Sequence, residues 1–261
     1  MKDLQNGSHY ALEIFNYMKV REKHFQIDDY MPRQLFLTRN MRSLLIDWMV
    51  EVQQIFNLHH ETLYLAVKIT DIYLSKKIIH KEILQLIGIA TLLISSKYDE
   101  RKPILIDDFL YLCNYAYTKR DIIRKEIDVF RAVGCNLCIP LSYRFLQRYG
   151  KCCGTPNFTF TLARYILESS LLEYHFILEL ESKLASAALF LALKMTDLGS
   201  WTTKLEYYSG YKIFEFVNIV VHLNIMLHKK PNENMRAIRT KYSRKHLFDI
   251  TRVPLIDEFF I

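Results

Sequence analysis

The chain repeats one helical pattern at an offset of 97 residues, counted from Ala66 to Ala163. Residues 62–97 superpose on residues 159–194 without a gap, with few identities but with apolar positions matched through two successive helical patterns. Further matched positions are Ile69 with Ile166, Asp71 with Glu168, Leu74 with Leu171, Ala90 with Ala187 and Lys97 with Lys194. Because solenoid repeats run to about 50 residues, this period predicts two domains of one fold.

Composition agrees with two helical domains. The chain has 261 residues, 51% of them hydrophobic, and only seven glycines and six prolines. This length fits about two domains, and the scarcity of helix breakers favours an all-α fold. The uncharged run over residues 84–96 is shorter than the roughly 18 residues of a membrane span, so we expect no membrane partner.

Apolar spacing and capping residues predict where the helices lie. Ser8 is expected to cap an amino-terminal helix over residues 10–23, and an extended link follows over residues 28–40. One set of helices is predicted near 41–56, 60–76, 81–97, 105–116 and 119–133, and a second near 142–152, 158–173, 178–195, 201–208 and 211–229. Thr118 with Asp121 resembles a capping box, and Pro140 marks a domain boundary. The predicted parts are 1–40, 41–138, 139–231 and a tail over 232–261.

Residues 41–52, MRSLLIDWMVEV, carry two apolar stripes at helical spacing. One stripe consists of Leu45, Met49, Val52 and Phe56, and the other of Met41, Leu44, Trp48 and Ile55, with Glu51 beside it. Either both stripes are core, or the second is partly exposed as a docking groove.

This segment resembles the start of a cyclin box in A- and B-type mitotic cyclins, and most of all in the B type, including its third subtype. SSKYDE at 95–100 resembles the family's SKFEE pattern, and Tyr30-Met31 with Gln34 matches its YMxxQ segment. LEYYSGY at 205–211 and KYS at 241–243 match the end of the second box and the tail. The resemblance implies two tandem five-helix cyclin boxes preceded by an amino-terminal helix.

The resemblance also implies a function. Such a chain is a non-catalytic regulatory subunit that binds and activates a cyclin-dependent protein kinase, and its expected location is the nucleus and in part the cytoplasm. Lys97 and Glu126 are expected to reach backbone groups of the kinase's regulatory helix. The implied kinase-binding residues are Lys97, Glu126, Ile94, Tyr98 and Leu137.

Two further groups of residues take roles from the resemblance. Arg42 and Asp71, on otherwise apolar helices, match a buried ion pair inside the first box. A patch that docks substrate peptides with Arg-x-Leu motifs is implied for Met41, Leu44, Leu45, Trp48, Glu51, Leu84 and Gln85.

The chain departs from the family pattern at three places. Many B-type cyclins bind phosphate through an arginine, a histidine and a lysine where this chain has Gln147, Phe160 and Arg164, which puts that site in doubt. The second box keeps Glu168 but has Ile139 at the arginine position, so its core must neutralise this carboxylate differently. Ile55 replaces a second carboxylate of some relatives beside the docking patch.

Other functional classes have weaker support. The chain lacks a glycine-rich phosphate loop, HExxH and GxSxG, so we expect no cofactor and no catalytic site. Cys135-x-x-Cys138 is half a zinc motif without a second pair, so no metal is expected.

The net charge of +7 suits a DNA-binding alternative, a tandem cyclin-box transcription factor resembling the B factor of RNA polymerase II. The segments MRSLLIDWMVEV and SSKYDE and the amino-terminal helix argue against this alternative, because they resemble kinase-binding cyclins. Basic clusters at 228–230 and 239–246 predict a solvated surface.

Overall fold

The structure is a computed structural model that describes residues 10–230 and 232–257. Over these residues the chain is helical and contains no strand, so the predicted all-α fold is confirmed. The helices are α1 (Ala11–Glu22), α2 (Arg39–Ile55), α3 (His60–Lys76), α4 (Leu84–Asp99), α5 (Ile106–Leu112), α6 (Lys119–Ala132), α7 (Ser142–Cys153), α8 (Asn157–Ser170), α9 (Glu181–Met195), α10 (Thr203–Ser209), α11 (Val217–His228) and α12 (Ala237–Tyr242). Helices α2–α6 form the first set of five, α7–α11 the second, and α12 lies in the tail.

Local signals account for several helix ends, and side chains of Thr38, Thr118 and Thr202 cap the helices that follow them. The Thr118 hydroxyl accepts from the Asp121 amide at 3.3 Å, and the Asp121 carboxylate accepts from the Thr118 amide at 2.9 Å, so the predicted capping box is confirmed. Helix α5 ends four residues before its predicted end, because Asn114 and Tyr115 take left-handed backbone angles of 48° and 56°. Ser8 lies outside the described residues, and α1 begins after Tyr10 without a side-chain cap.

The two repeated inner helices, α4 and α9, form the centre of each domain. Helix α4 packs on α3 and α6, and α9 packs on α7, α8 and α11. Their sequence is apolar all round because neighbours cover every side. Gly88 lets α2 approach α4 closely, since a Cβ there would lie 2.8 Å from Leu45 Cδ1 and 3.3 Å from Trp48 Cζ3.

A buried ion pair joins α2 to α3. The Arg42 guanidinium donates to both carboxylate oxygens of Asp71, at 2.6 and 2.7 Å, and the side chains are 2% and 4% exposed. Asp71 also accepts from the Tyr30 hydroxyl at 2.7 Å, and Arg42 donates to the Leu171 carbonyl of the second domain at 2.9 Å. The pair therefore connects the linker, the first domain and the second domain.

The repeat places Glu168 at the position of Asp71, and a different element neutralises it. Lys241 of α12 donates to Glu168 Oε1 at 2.5 Å, and the Tyr242 hydroxyl donates to Oε2 at 2.8 Å. His60 Nδ1 lies 3.2 Å from the same Oε2. Burial alone would raise the pKa of Glu168, but the charge of Lys241 and the hydrogen bonds from His60 and Lys241 lower it to about 2.

This contact corrects the predicted solvated surface at 239–246 for one residue, since Arg239, Arg244, Lys245 and His246 are exposed as expected and Lys241 is not. Lys241 is 6% exposed and belongs to the interior. Helix α12 was not predicted, since its six residues are too few to show a helical period.

We expect Arg42→Ala to lower thermal stability strongly. Breaking a buried pair leaves Asp71 uncompensated, which costs about 3–5 kcal/mol and corresponds to roughly 10 °C in melting temperature. Melting followed by circular dichroism measures the change, with the exposed Arg101→Ala as the matched control. A melting temperature equal to that of the control would contradict a stabilising role for the pair.

We expect Lys241→Met to destabilise the chain at neutral pH and to do so less in acid. The pKa of Glu168 is about 2 in the folded chain and ordinarily 4.5. The stability that ionised Glu168 contributes is therefore present above pH 4.5 and is lost as pH falls towards 2. Melting of both proteins at pH 7 and at pH 3.5 tests this. An equal difference at both pH values would show that Glu168 is not the group that Lys241 stabilises.

Candidate functional site

The last turn of α4 and the outer face of α6 border an apolar hollow with an ion pair at its edge. The hollow has a volume of about 440 Å³. Its lining residues are Ile94, Lys97, Tyr98, Glu126, Ile127, Phe130 and Leu137. The structure thus brings together all five residues that the sequence predicts for kinase binding. We call this region the α4–α6 hollow.

Lys97 and Glu126 bond to each other at the edge of the α4–α6 hollow. Lys97 Nζ lies 2.5 Å from Glu126 Oε1, and the side chains are 48% and 17% exposed. An ion pair open to solvent contributes about 0–1 kcal/mol. A partner can therefore separate the two groups at little cost and bind each of them.

Ile127 and Phe130 also line the hollow and were not predicted. Ile123 and Ile127 are 37% and 45% exposed, although both are large apolar side chains. Their spacing along α6, one turn apart and next to Glu126, is the signal that identifies this stripe.

Helix α1 lies beside the α4–α6 hollow. A second cavity, of about 180 Å³, is lined by α1 residues that include Ile14 and Met18, and it shares Tyr98 and Leu137 with the hollow. Arg21 fixes α1 there, because its Nε donates to the Cys138 carbonyl at 2.6 Å. The two depressions therefore form one continuous surface with α1 at its border.

The predicted docking patch is divided between surface and core. Leu44 is 37% exposed, whereas Leu45 and Leu84 are 6% and 7% exposed and belong to the core. Leu45 packs on Gly88, one turn of α4 beyond Leu84. The residues of the patch that solvent reaches are Met41, Leu44, Trp48, Glu51 and Gln85.

An aromatic ring occupies the place of the family's phosphate-binding cations. The Phe160 ring packs so closely on Gly150 that a Cβ there would lie 2.7 Å from it. The Arg164 guanidinium carbon is 5.8 Å from the centre of the same ring, and Arg164 Nε is buried without a hydrogen-bond partner. Arg164 is thus the one cation at these three positions, and the loss of the family's phosphate site remains a prediction from the substitutions.

Asp47, in the MRSLLIDWMVEV segment, is a buried carboxylate that is 5% exposed. Burial raises the pKa of Asp47 to about 6, although the Ala237 amide donates to it at 3.0 Å and lowers the pKa again in part. The hydrogen bond attaches α2 to the start of α12. Asp47 therefore positions the tail that carries Lys241.

The described residues form neither a membrane span nor a cluster of metal ligands. Between residues 10 and 257, with Pro231 left out, no helix is long and apolar enough to cross a bilayer. Over the same residues no three His, Cys, Asp or Glu side chains converge where a metal ion would fit.

Comparison with known proteins identifies two matching family models. The cyclin N-terminal domain matches residues 13–138, and the cyclin C-terminal domain matches residues 140–254. The predicted resemblance and the pair of tandem cyclin boxes are thereby confirmed.

Individual relatives agree with these families. G2/mitotic-specific cyclin-B3 of Drosophila melanogaster is 54% identical over 95% of this chain and 44% of its own length. The protein of that name from Gallus gallus is 46% identical over 96% of this chain and 62% of its own length. The chain thus spans less than two thirds of these relatives. The X-ray structure of a viral cyclin from herpesvirus saimiri superposes with a TM-score of 0.73 at 25% identity, covering 82% of this chain and 96% of that one.

Proposed function

Because the chain belongs to the cyclin family, within its B-type mitotic branch, we propose that it binds and activates a cyclin-dependent serine/threonine protein kinase in cell-cycle control. The observation that carries this proposal is the α4–α6 hollow, with Lys97 and Glu126 at its edge. We place the complex in the nucleus and in part in the cytoplasm. The similarity to mitotic cyclins argues against the DNA-binding transcription factor as the alternative function.

The proposed contact uses both polar and apolar groups. The Lys97 ammonium donates to carbonyl groups of the kinase's regulatory helix, and the Glu126 carboxylate accepts from a backbone amide of that helix. The apolar floor of the hollow, which includes Ile94 and Phe130, takes a large apolar side chain, and its burial contributes about 1.5–3 kcal/mol. Helix α1 extends the contact, so the total buried area should exceed about 2,000 Å².

The proposed activation is conformational. Holding the regulatory helix inward lets its glutamate pair with the lysine that binds ATP, an ion pair that active protein kinases require. The same contact helps to order the activation loop. The cyclin supplies no catalytic group in this mechanism, and its effect is to select the active conformation of the kinase.

We expect the charge swap Lys97→Glu with Glu126→Lys to abolish kinase activation while leaving the fold intact. The swap preserves an ion pair within the chain but presents the wrong charge to each kinase group. Losing two charge-assisted hydrogen bonds should weaken binding by at least about a hundredfold. Titration of a purified kinase with each cyclin, read as phosphorylation of a short peptide, measures this.

The matched control for that experiment is the swap Arg236→Glu with Glu233→Arg. This pair is also exposed, at 67% and 87%, with its charged atoms 3.9 Å apart, and it lies in the tail segment before α12. The control should activate normally. Normal activation by the Lys97/Glu126 swap would exclude the α4–α6 hollow as the kinase site.

A second part of the proposal concerns substrate recruitment by the docking patch. Leucine of an Arg-x-Leu peptide packs on Met41, Leu44 and Trp48, and the basic residue pairs with Glu51. Burying one leucine contributes about 1.5–3 kcal/mol, far less than the roughly 8 kcal/mol of a micromolar complex, so docking at this patch is weak and modular. With Ile55 in place of a second carboxylate, the basic residue contributes less than in relatives that have two.

We expect Leu44→Ala with Trp48→Ala to slow phosphorylation of motif-bearing substrates by roughly tenfold. A short substrate without the motif should be turned over normally, because the patch is separate from the α4–α6 hollow. Leu84→Ala is unsuitable, since Leu84 is buried and its truncation would destabilise the core. The control is Leu198→Ala, which removes a large apolar side chain that is 50% exposed and lies in the second domain, outside the patch. Equal rates on both substrates with the double variant would rule out docking at this patch.

A further inference from the structure

A cavity of about 480 Å³ lies where α2 meets the second domain and the tail. The start of α2, the end of α8 with the turn after it, the end of α11 and the start of α12 form its walls. It shares no residue with the α4–α6 hollow or the docking patch, and none with Gln147, Phe160 or Arg164. We call it the junction cavity.

Basic side chains from four elements converge on the junction cavity. Glu173 is the only carboxylate among its described lining residues, and both of its oxygens accept from Lys229 Nζ at 2.8 Å. The basic lining residues are Arg39, His175, Lys229, Lys230 and Arg239. Four of these residues are arginine or lysine, and one carboxylate does not balance their charges. The cavity is therefore a region of positive potential.

The arginines keep their hydrogen-bond donors free. Arg39 lies over the Tyr174 ring, with its guanidinium carbon 5.2 Å from the ring centre. The Tyr174 hydroxyl is itself held by Asp29 at 2.8 Å, so the ring positions Arg39 without using its N–H groups. Within the part of the chain that the structure describes, neither Arg39 nor Arg239 donates a side-chain hydrogen bond.

His175 lines the junction cavity, and its pKa is affected by burial and by the neighbouring charges. Burial lowers the pKa of His175, and the nearby His222, Lys229 and Arg39 lower it further against the opposing effect of Glu173. Burial is the main cause of this shift, so the neutral form of the imidazole is favoured and His175 adds no positive charge to the cavity.

Apolar side chains in the lining indicate that the ligand also has an apolar part. Leu172, Met226, Met235 and Ile238 line the cavity between the basic groups. A volume of about 480 Å³ is in the range that holds a small ligand and is more than a single phosphate group needs. The ligand should therefore combine a phosphate with an adjoining apolar group. The cations surround one cavity and do not form the extended stripe that follows a nucleic-acid backbone.

We propose that the junction cavity binds a phosphorylated serine or threonine in a peptide segment of another protein. Arg39 and Arg239 hold the phosphate, since planar guanidinium groups match its oxygens. The apolar lining takes the side chain next to the phosphorylated residue. This proposal goes beyond kinase activation and does not depend on it.

The test uses the chain without kinase and a fluorescein-labelled peptide with one phosphoserine between leucines. Fluorescence anisotropy should show binding at least tenfold tighter than that of the unphosphorylated peptide. Because exposed charges are screened by salt, the affinity should fall severalfold between low and high salt concentration.

Two double variants separate this cavity from general basicity. Arg39→Gln with Arg239→Gln should lose at least tenfold in affinity for the phosphopeptide. Arg101→Gln with Arg120→Gln removes the same charge from exposed positions that do not line the cavity, and should bind within twofold of the unchanged chain. Circular dichroism checks that both variants are folded.

Three results would overturn the proposal. One is equal binding of the phosphorylated and unphosphorylated peptides, and another is equal loss in the two double variants. The third is tighter binding of phosphatidylserine vesicles or of a short single-stranded DNA, abolished by Arg39→Gln with Arg239→Gln. That result would assign the junction cavity to a membrane or to nucleic acid. None of these outcomes bears on the α4–α6 hollow, since no kinase is present.

Discussion

The architecture depends on neutralising two buried carboxylates that the internal repeat places at equivalent positions. Asp71 and Glu168 each lie on the second helix of a domain, where an unpaired charge would cost several kcal/mol. Arg42 neutralises Asp71 from within the first domain and also bonds the second domain. Lys241 neutralises Glu168 from the tail. Because each cation comes from another element, the two pairs determine how the linker, both domains and the tail are joined.

Burial separates these structural pairs from the ion pair proposed to bind the kinase. Arg42 and Asp71 are 2% and 4% exposed, so no partner can reach them and their role is in folding. Lys97 and Glu126 use the same chemistry at 48% and 17% exposure, where the pair is weak and open to exchange. Helix α4 links the buried core to this exposed pair. Most of the helix is buried in the core, and this packing fixes the position of Lys97 in its last turn. The packed core thus holds the α4–α6 hollow in place, while the Lys97–Glu126 ion pair at its edge can be replaced by bonds to a partner.

Residue patterns predicted which side chains share a helix face, but not which of those faces are exposed. The helical period of α2 correctly separated two stripes, but it does not report depth, and Leu45 and Leu84 proved to be buried. Their depth follows from Gly88, which lets α2 and α4 approach closely. Ile127 was missed beside Glu126, because an apolar side chain on an amphipathic helix is usually core. Which apolar face remains uncovered is decided by the neighbouring helices.

The sequence by itself determined the helical class, the two-fold repeat and several helix ends. These features rest on local interactions, such as the Thr118–Asp121 capping box, whose partners are three residues apart. Only the tertiary structure decided that Lys241 meets Glu168 across 73 residues of chain, and that Arg39 and Arg239 face one cavity. Such contacts depend on how whole helices pack, and a local pattern of apolar and charged residues carries no information about partners distant in sequence.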